Sequence, residues 1–239
     1  MKKLFIFCIM FPLLLSAVNA QDNRIQTEQE NMQIITIDPV PMVAPTENID
    51  AMNAYNSGTL YMRDGMLEEA EDYLSLAIEL DPFFVDAMDH LGIVYRRQNR
   101  LEEAEAMYLR SIEINSQNKV PYQNLAVVYR LQNRLNEAFE LYRMLIILDE
   151  NDPEGYYGIA ELFFIVGQNE NAMPFIDRAI QLYYAAGSPL LLNAFYYKGM
   201  LLYRMENFDE ALLFLQAARE AHPNNATLNN ALNDILSRQ

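Results

Sequence analysis

The sequence predicts an all-α protein built as a solenoid of five stacked helix pairs. A small residue recurs along the chain, and an alanine follows each of these residues twelve positions later. Both series advance in steps of 34, 34, 34 and 39 residues. A period of 34 residues is typical of stacked helix-turn-helix repeats. The two series are Gly58, Gly92, Ala126, Ala160 and Gly199, followed by Ala70, Ala104, Ala138, Ala172 and Ala211.

The composition narrows the classes of partner. The chain has 239 residues, of which 51% are apolar, and its 33 acidic residues outnumber 17 basic ones, for a net charge of -16. This balance argues against nucleic acid, which selects clustered Lys and Arg, and against anionic lipid surfaces. The only cysteine is Cys8, so a disulfide framework is excluded.

Residues 1–20 predict a signal peptide. Lys2 and Lys3 precede an apolar run over 4–15, and Val18 and Ala20 place small residues before a cleavage site. The apolar run is shorter than the roughly 20 residues of a membrane span. We therefore expect cleavage after Ala20 and an exported protein, periplasmic or secreted, without stable membrane insertion.

Residues 21–46 predict a flexible leader. The segment is polar and then carries Pro39, Pro41 and Pro45, which remove backbone donors and favour extended conformations. An alternative is that the apolar run 34–37 lies in the protein's own groove or pairs with a partner strand.

Placing the small residue at position 8 of each repeat divides the array (47–225) into five repeats. Small residues at positions 8 and 20 would allow two antiparallel helices to approach closely, while aromatic residues at positions 4, 11 and 24 would fill the space around that contact. A final segment, 226–239, has apolar residues on one side only and predicts a C-terminal capping helix. The repeats are 51–84, 85–118, 119–152, 153–186 and 192–225.

The junctions between helices carry their own signals. Gly65, Asn99, Asn133 and Gly167 follow the first helices and tolerate the left-handed backbone of a helix C-cap, whereas repeat five has Glu206 there. Pro174 is expected to kink or delay its helix. In the five-residue insertion 187–191, the sequence predicts Gly187 as a C-cap, Ser188 as an N-cap and Pro189 as the first helical residue, with both flanking helices extended.

This pattern resembles the tetratricopeptide repeat (TPR) over about three quarters of the chain. Repeat two shows it most fully, with Leu91, Gly92, Tyr95, Ala104 and Tyr108 at positions 7, 8, 11, 20 and 24. The resemblance implies a right-handed superhelix in which positions 2, 5, 6, 9, 12 and 13 of the first helices line a concave groove. It also implies a non-enzymatic scaffold that binds a protein or peptide partner.

When these groove positions are carried over to this sequence, they contain many aromatic and Met residues, which are suited to interfaces. The alternative for the repeat-five aromatics is packing under the insertion or the leader. Five arginines (63, 96, 97, 130 and 204) stand in last turns of first helices, where they either complement the helix dipole and pair with neighbouring acids or bind partner carboxylates. The candidate partner-binding residues are Tyr55, Asn56, Met62, His90, Arg97, Asn124, Arg130, Tyr157, Phe164, Tyr196, Tyr197, Met200, Tyr203 and Arg204.

The sequence gives no reason to propose catalysis, a cofactor or a metal site. His90 and His222 are the only histidines, and no glycine-rich phosphate loop or Ser/His/Asp set is present. The preferred hypothesis is an interaction scaffold of the cell envelope. A self-associating structural module is the alternative, and a binder of glycans or cell-wall fragments is a more distant one.

Overall fold

The computed structural model describes residues 46–238, which contain eleven α-helices and no strand. The expected signal peptide and nearly all of the expected leader lie outside these residues. The helices are α1 (Ile49–Asp64), α2 (Leu67–Leu80), α3 (Val85–Arg97), α4 (Leu101–Ile114), α5 (Lys119–Leu131), α6 (Leu135–Leu148), α7 (Pro153–Ile165), α8 (Asn169–Ala185), α9 (Leu191–Arg204), α10 (Phe208–Ala218) and α11 (Ala226–Ser237).

The first ten helices form five pairs, and each pair packs on the next. Within a pair the helices are in extensive contact, and the second helix of each pair also packs on the first helix of the following pair. The last helix, α11, packs on α9 and α10. The prediction of an all-α solenoid of five helix pairs with a C-terminal helix is confirmed.

The small residues are where the helices of a pair meet. A Cβ added to Gly58 or Gly199 would stand 2.7 Å from a leucine Cγ of the second helix, and one added to Gly92 would stand 2.6 Å from Tyr108 Cε1. The five alanines at position 20 have no exposed surface. The close approach of the two helices therefore explains why small residues recur at positions 8 and 20.

Side-chain caps mark the start of three of the five first helices. Asn48, Asn118 and Asp152 precede α1, α5 and α7, and each accepts hydrogen bonds from backbone N–H groups of the first turn. Asn225 does the same for α11. All five second helices, including α8, begin at position 17 of their repeats. The expected delay of α8 by Pro174 therefore does not occur.

The insertion is accommodated mainly by the second helix of repeat four. α8 has 17 residues, against 14 in α2, α4 and α6, and ends before Gly187, which has a φ of 60°. Pro189 is not the first helical residue, because it lies in a turn in which Ser188 Oγ accepts from Leu190 N, and α9 begins at Leu191. Both flanking helices are nevertheless longer than most of their counterparts, because α9 has 14 residues against 13 in α3, α5 and α7.

No helix among residues 46–238 is both long enough and apolar enough to cross a membrane.

Candidate protein-interaction face

The first helices of successive repeats share one surface, which we call the first-helix face and define by positions 2, 5, 6, 9, 12 and 13 of α1, α3, α5, α7 and α9. Residues at these positions contact each other across repeats. Tyr55 on α1 meets His90 on α3, with ring centroids 5.2 Å apart. Tyr157 on α7 meets Tyr197 on α9 at 5.5 Å. The candidate residues therefore form adjoining surfaces on neighbouring helices.

The N-terminal part of the face is centred on Tyr55. Its ring packs on Phe84 at 4.9 Å, and burial, together with the nearby Asp86 and Asp89 carboxylates, raises the pKa of its hydroxyl. His90 Nδ1 lies 2.8 Å from the backbone oxygen of Asp86 and 3.4 Å from the Tyr55 hydroxyl. The histidine is thus held by its own helix and by the preceding repeat.

The other N-terminal and central candidates differ in accessibility. Asn56 is exposed, whereas Met62 is half-buried against the core of repeats one and two. Asn124 donates to the backbone oxygen of Val120 in its own helix at 3.1 Å. Asn56 is therefore the freest of the three to meet a partner.

The C-terminal part of the face is a continuous aromatic cluster. Tyr197 makes edge-on contacts with Tyr157, Phe164 and Tyr196 at 5.4–5.5 Å between ring centroids. The four rings are all half-buried, so each still exposes part of its surface. The rings pack against each other and against their neighbouring helices. The repeat-five aromatics are thus packed, as the alternative expected, but the contacts of Tyr197 are with other rings of the first-helix face.

Three of the five arginines are engaged with neighbouring repeats. Arg97 and Arg204 each donate to a backbone carbonyl at the end of the preceding first helix, Met62 O and Phe164 O, both at 2.7 Å. Arg204 also lies 3.6 Å above the Phe164 ring. Arg130 Nε lies 3.3 Å from Glu161 Oε2. These contacts favour the helix-dipole interpretation over free carboxylate receptors.

Two of the candidates are engaged by the C-terminal helices. Met200 is only 5% exposed and belongs to the core formed with α10 and α11, so its assignment to an open groove is corrected. Tyr203 is half-buried and donates to Asp234 Oδ2 on α11 at 2.9 Å. Both differences have one cause: α11 packs on α9 as the first helix of a sixth repeat would.

Two polar residues of this face, and one on an adjoining second helix, were absent from the sequence-based candidates. Glu154 accepts from Gln123 Nε2 at 2.8 Å and from the Tyr183 hydroxyl at 2.7 Å, and Glu161 accepts from the Tyr197 hydroxyl at 2.7 Å. Glu154 and Glu161 occupy groove positions 2 and 9, so the register could have identified them. Tyr183 lies on a second helix, and its only sequence signal is the insertion that lengthens α8.

Among residues 46–238, no group of three or more His, Cys, Asp or Glu side chains could hold a metal ion. The face instead offers partly exposed aromatic rings beside carboxylates and guanidinium groups. Such a surface can bind a polypeptide through apolar area, hydrogen bonds and charge.

The chain belongs to the tetratricopeptide repeat family. Tetratricopeptide repeat models match residues 50–117, 122–148 and 193–225, which together make up just over half of the sequence. Membership supports a protein–protein interaction scaffold. No curated protein matches the sequence.

Solved structures confirm the fold. The chain is similar to one in the APC/C hetero-tetramer Cut9-Hcn1, with a TM-score of 0.71 and 17% identity, covering 79% of this chain but only 37% of that one. PilF of Pseudomonas aeruginosa gives 0.67 and 16%, covering 78% and 88%. YrrB, a TPR protein with an unusual peptide-binding site, gives 0.55 and 23%, covering 76% and 91%. At these identities the likeness extends to the fold alone.

Proposed function

We propose that the protein is an exported, non-catalytic scaffold of the cell envelope whose first-helix face, the concave side of the array, binds an extended peptide or a helix of a partner protein. The observation that carries this proposal is the aromatic cluster of Tyr157, Phe164, Tyr196 and Tyr197. The repeat fold needs small residues at positions 8 and 20, but these four rings stand at other positions and keep exposed surface.

Aromatic side chains favour binding because they bury a large area at a low cost in conformational entropy. Their edge-on contacts hold the rings in place before a partner arrives, which reduces the entropy lost on binding. The hydroxyl of Tyr197 is fixed by Glu161, so this ring is oriented as well as packed. Support for the envelope comes from the sequence of residues 1–20.

The proposal is tested by capturing partners from an envelope extract with immobilised protein comprising residues 21–239. Tyr196→Ala should weaken binding of a specific partner about fivefold or more, because aromatic residues at the centre of an interface often contribute over 1 kcal/mol. Tyr196 has ring contacts with Tyr197 and His222, so thermal unfolding must show that the variant remains folded at the temperature used.

Tyr184→Ala is the matched control, since Tyr184 is 75% exposed and lies on second helix α8. Capture should be unchanged in this variant. Equal capture by the wild type and the folded Tyr196→Ala variant would refute binding at the first-helix face. Equal loss in both variants would show that general surface tyrosines, and not this face, hold the partner.

A further inference from the structure

The Tyr157 site comprises Glu154, Tyr157 and Glu161 on α7, with Tyr183 from α8 and Tyr197 from α9. Glu154 precedes Tyr157 by three residues and Glu161 follows it by four, so the three side chains stand on one side of the helix. The Tyr183 and Tyr197 rings meet Tyr157 edge-on, at 6.0 and 5.5 Å between centroids. One aromatic ring thus lies between two carboxylates.

The two carboxylates differ in how they are compensated. Glu154 accepts hydrogen bonds from Gln123 and Tyr183, both uncharged, and no Lys or Arg of residues 46–238 forms an ion pair with it. Glu161, by contrast, forms an ion pair with Arg130 at 3.3 Å and accepts from the Tyr197 hydroxyl at 2.7 Å. A cation brought by another molecule would therefore compensate the charge of Glu154, which has only uncharged partners among residues 46–238.

The surroundings keep the site negative. Asp152, two residues before Glu154, pairs with Lys119 at 2.6 Å, and the same ammonium also serves Asp149 at 3.0 Å. With Glu154 and Glu161, four carboxylates thus share two cations, Lys119 and Arg130. Burial, with a contribution from Asp152, raises the pKa of Glu154 although the Tyr183 and Gln123 hydrogen bonds oppose the shift.

Tyr157 itself is arranged to receive a donor. Its hydroxyl forms no hydrogen bond with residues 46–238, and burial with the Glu161 and Glu154 charges raises its pKa, so the hydroxyl stays protonated and neutral. The face of a tyrosine ring attracts a cation, and a neighbouring carboxylate adds charge-assisted hydrogen bonds. Three arginines of the first-helix face are by contrast already engaged: Arg97 and Arg204 donate to backbone carbonyls, and Arg130 pairs with Glu161.

We propose that the Tyr157 site binds a lysine or arginine side chain of the partner polypeptide, with the cation seated against Tyr157 between Glu154 and Glu161. The inference rests on the proposed function and specifies its chemistry: the partner segment carries a basic residue where it crosses α7. Binding would relieve the uncompensated charge of Glu154, which makes this contact selective for basic over neutral side chains.

The test uses three peptides of sequence Ac-Ala-Phe-Xaa-Phe-Ala-NH2, with lysine, its uncharged analogue norleucine, or glutamate as Xaa. NMR titration of the protein should give about fivefold tighter binding for the lysine peptide than for the norleucine peptide, and weaker binding still for the glutamate peptide. Resonances of Tyr157 and Tyr197 should shift. Equal affinity for the lysine and norleucine peptides would overturn the inference.

Glu154→Gln keeps the shape but removes the charge: its amide oxygen can still accept from the Tyr183 hydroxyl, and its NH2 group can donate to the oxygen of a flipped Gln123 amide. The preference for lysine should fall to about twofold or less in this variant. Glu102→Gln is the control, since Glu102 is an exposed acid in the first turn of α4 and should leave the preference unchanged. A preference that persists in Glu154→Gln would also overturn the inference.

The captured partner separates failure of this inference from failure of the proposed function. If Tyr196→Ala abolishes capture while Glu154→Gln leaves it at the wild-type level, the face binds its partner without a basic contact at Tyr157. If neither substitution affects capture, the face is not the binding surface and both proposals fail.

Discussion

At the scale of single residues, the packing of position-24 tyrosines depends on where a glycine lies. Tyr108 lies against Gly92 of its own repeat, where a Cβ would come within 2.6 Å of the ring. Tyr142, one repeat later, instead lies against Gly158 of the following repeat. Repeat three has Ala126 at the position of Gly92, so Tyr142, which has the same repeat position as Tyr108, packs against the glycine of the following repeat. Gly158 is therefore a structural residue of the first-helix face.

Asp89 is the residue whose burial is least compensated. It is 2% exposed, its Oδ2 accepts from Asn118 at 2.8 Å, and its Oδ1 has no partner among residues 46–238. Burial raises its pKa to about 7, although the Ser111 and Asn118 side chains oppose the shift. The carboxyl group therefore takes up a proton more readily in the folded than in the unfolded chain.

The sign of the pH dependence follows from that difference. Below about pH 4 the carboxyl group is protonated in both states. Between about pH 4 and 7 it remains protonated in the folded state but is ionised in the unfolded state, so the free energy of unfolding falls as pH rises. Asp89→Asn should remove this loss and exceed the wild type in stability at pH 8 by about 2–4 kcal/mol. Urea unfolding of both proteins between pH 4 and 8 measures it.

A stability difference that does not change with pH would contradict this assignment. The side-chain amide introduced by Asp89→Asn can still accept from Asn118, and it can donate towards Ser111 Oγ, which is buried without a partner among residues 46–238. Glu102→Gln, at an exposed carboxylate, should leave the pH dependence as in the wild type.

At the scale of helices and turns, a repeated ion-pair motif joins the second and third helix pairs to those before them. Arg100 stacks on Tyr95 at 4.3 Å and donates to Glu71 of the preceding repeat at 2.6 Å. Arg134 stacks on Tyr129 at 3.9 Å and donates to Glu105 at 2.7 Å. Both guanidinium groups also pair with a first-turn glutamate of their own second helix. The motif ties repeats one, two and three together.

The turn of repeat five departs from the other four in its residue but not in its backbone. Glu206 has a φ of 60°, close to Asn99 at 61° and Asn133 at 60°. Gly65 and Gly167 occupy the same place at 82° and 76°. A left-handed backbone costs a residue with an ordinary Cβ roughly 1–2 kcal/mol, and asparagine considerably less. The local fold is therefore imposed on Glu206 by the helices around it.

Glu206→Asn should raise the free energy of unfolding by about 0.5–1 kcal/mol, because asparagine adopts the left-handed conformation more readily. Chemical denaturation of the two proteins measures the difference. Glu210→Asn, inside α10, is the matched control and should lower stability slightly, since asparagine is a poorer helix former than glutamate. A loss of stability in Glu206→Asn would show that its side chain contributes more than its backbone costs.

At the scale of the whole array, the sequence predicted the contacts within each helix pair but not the contacts between successive units. The positions of Gly92 and Ala104 are set by a contact within one helix pair, so their spacing alone indicated the fold. The burial of Met200 and the bond from Tyr203 to Asp234 depend on α11, which follows the fifth repeat without sharing its sequence pattern. Contacts between units leave little trace in a repeat pattern, because each unit satisfies them with different residues.

The Tyr157 site illustrates the same limit. Tyr157 and Tyr197 could be placed on the face from their positions, but Tyr183 reaches Glu154 only because α8 is longer than the other second helices. The insertion that breaks the 34-residue step thus supplies one wall of the candidate site. A residue-by-residue transfer of groove positions cannot show this, since Tyr183 is at position 31 of its repeat and the groove positions all lie on first helices.

Neighbour-only packing predicts that damage at one end of the array stays local. Leu228 on α11 is fully buried in the C-terminal core with Met200 and Leu215, whereas the N-terminal core of repeats one and two is made by other helices. Leu228→Ala should cost about 2–5 kcal/mol locally, and in arrays of this kind stability is a sum of unit and neighbour terms. Amide hydrogen exchange should therefore accelerate in α9, α10 and α11 while α1–α4 keep their protection. Leu236→Ala is the control, because Leu236 lies on the same helix and is 51% exposed. Uniform loss of protection from α1 to α11 would mean that the five pairs unfold as one cooperative unit, in which case a partner bound anywhere on the face would stabilise all of it.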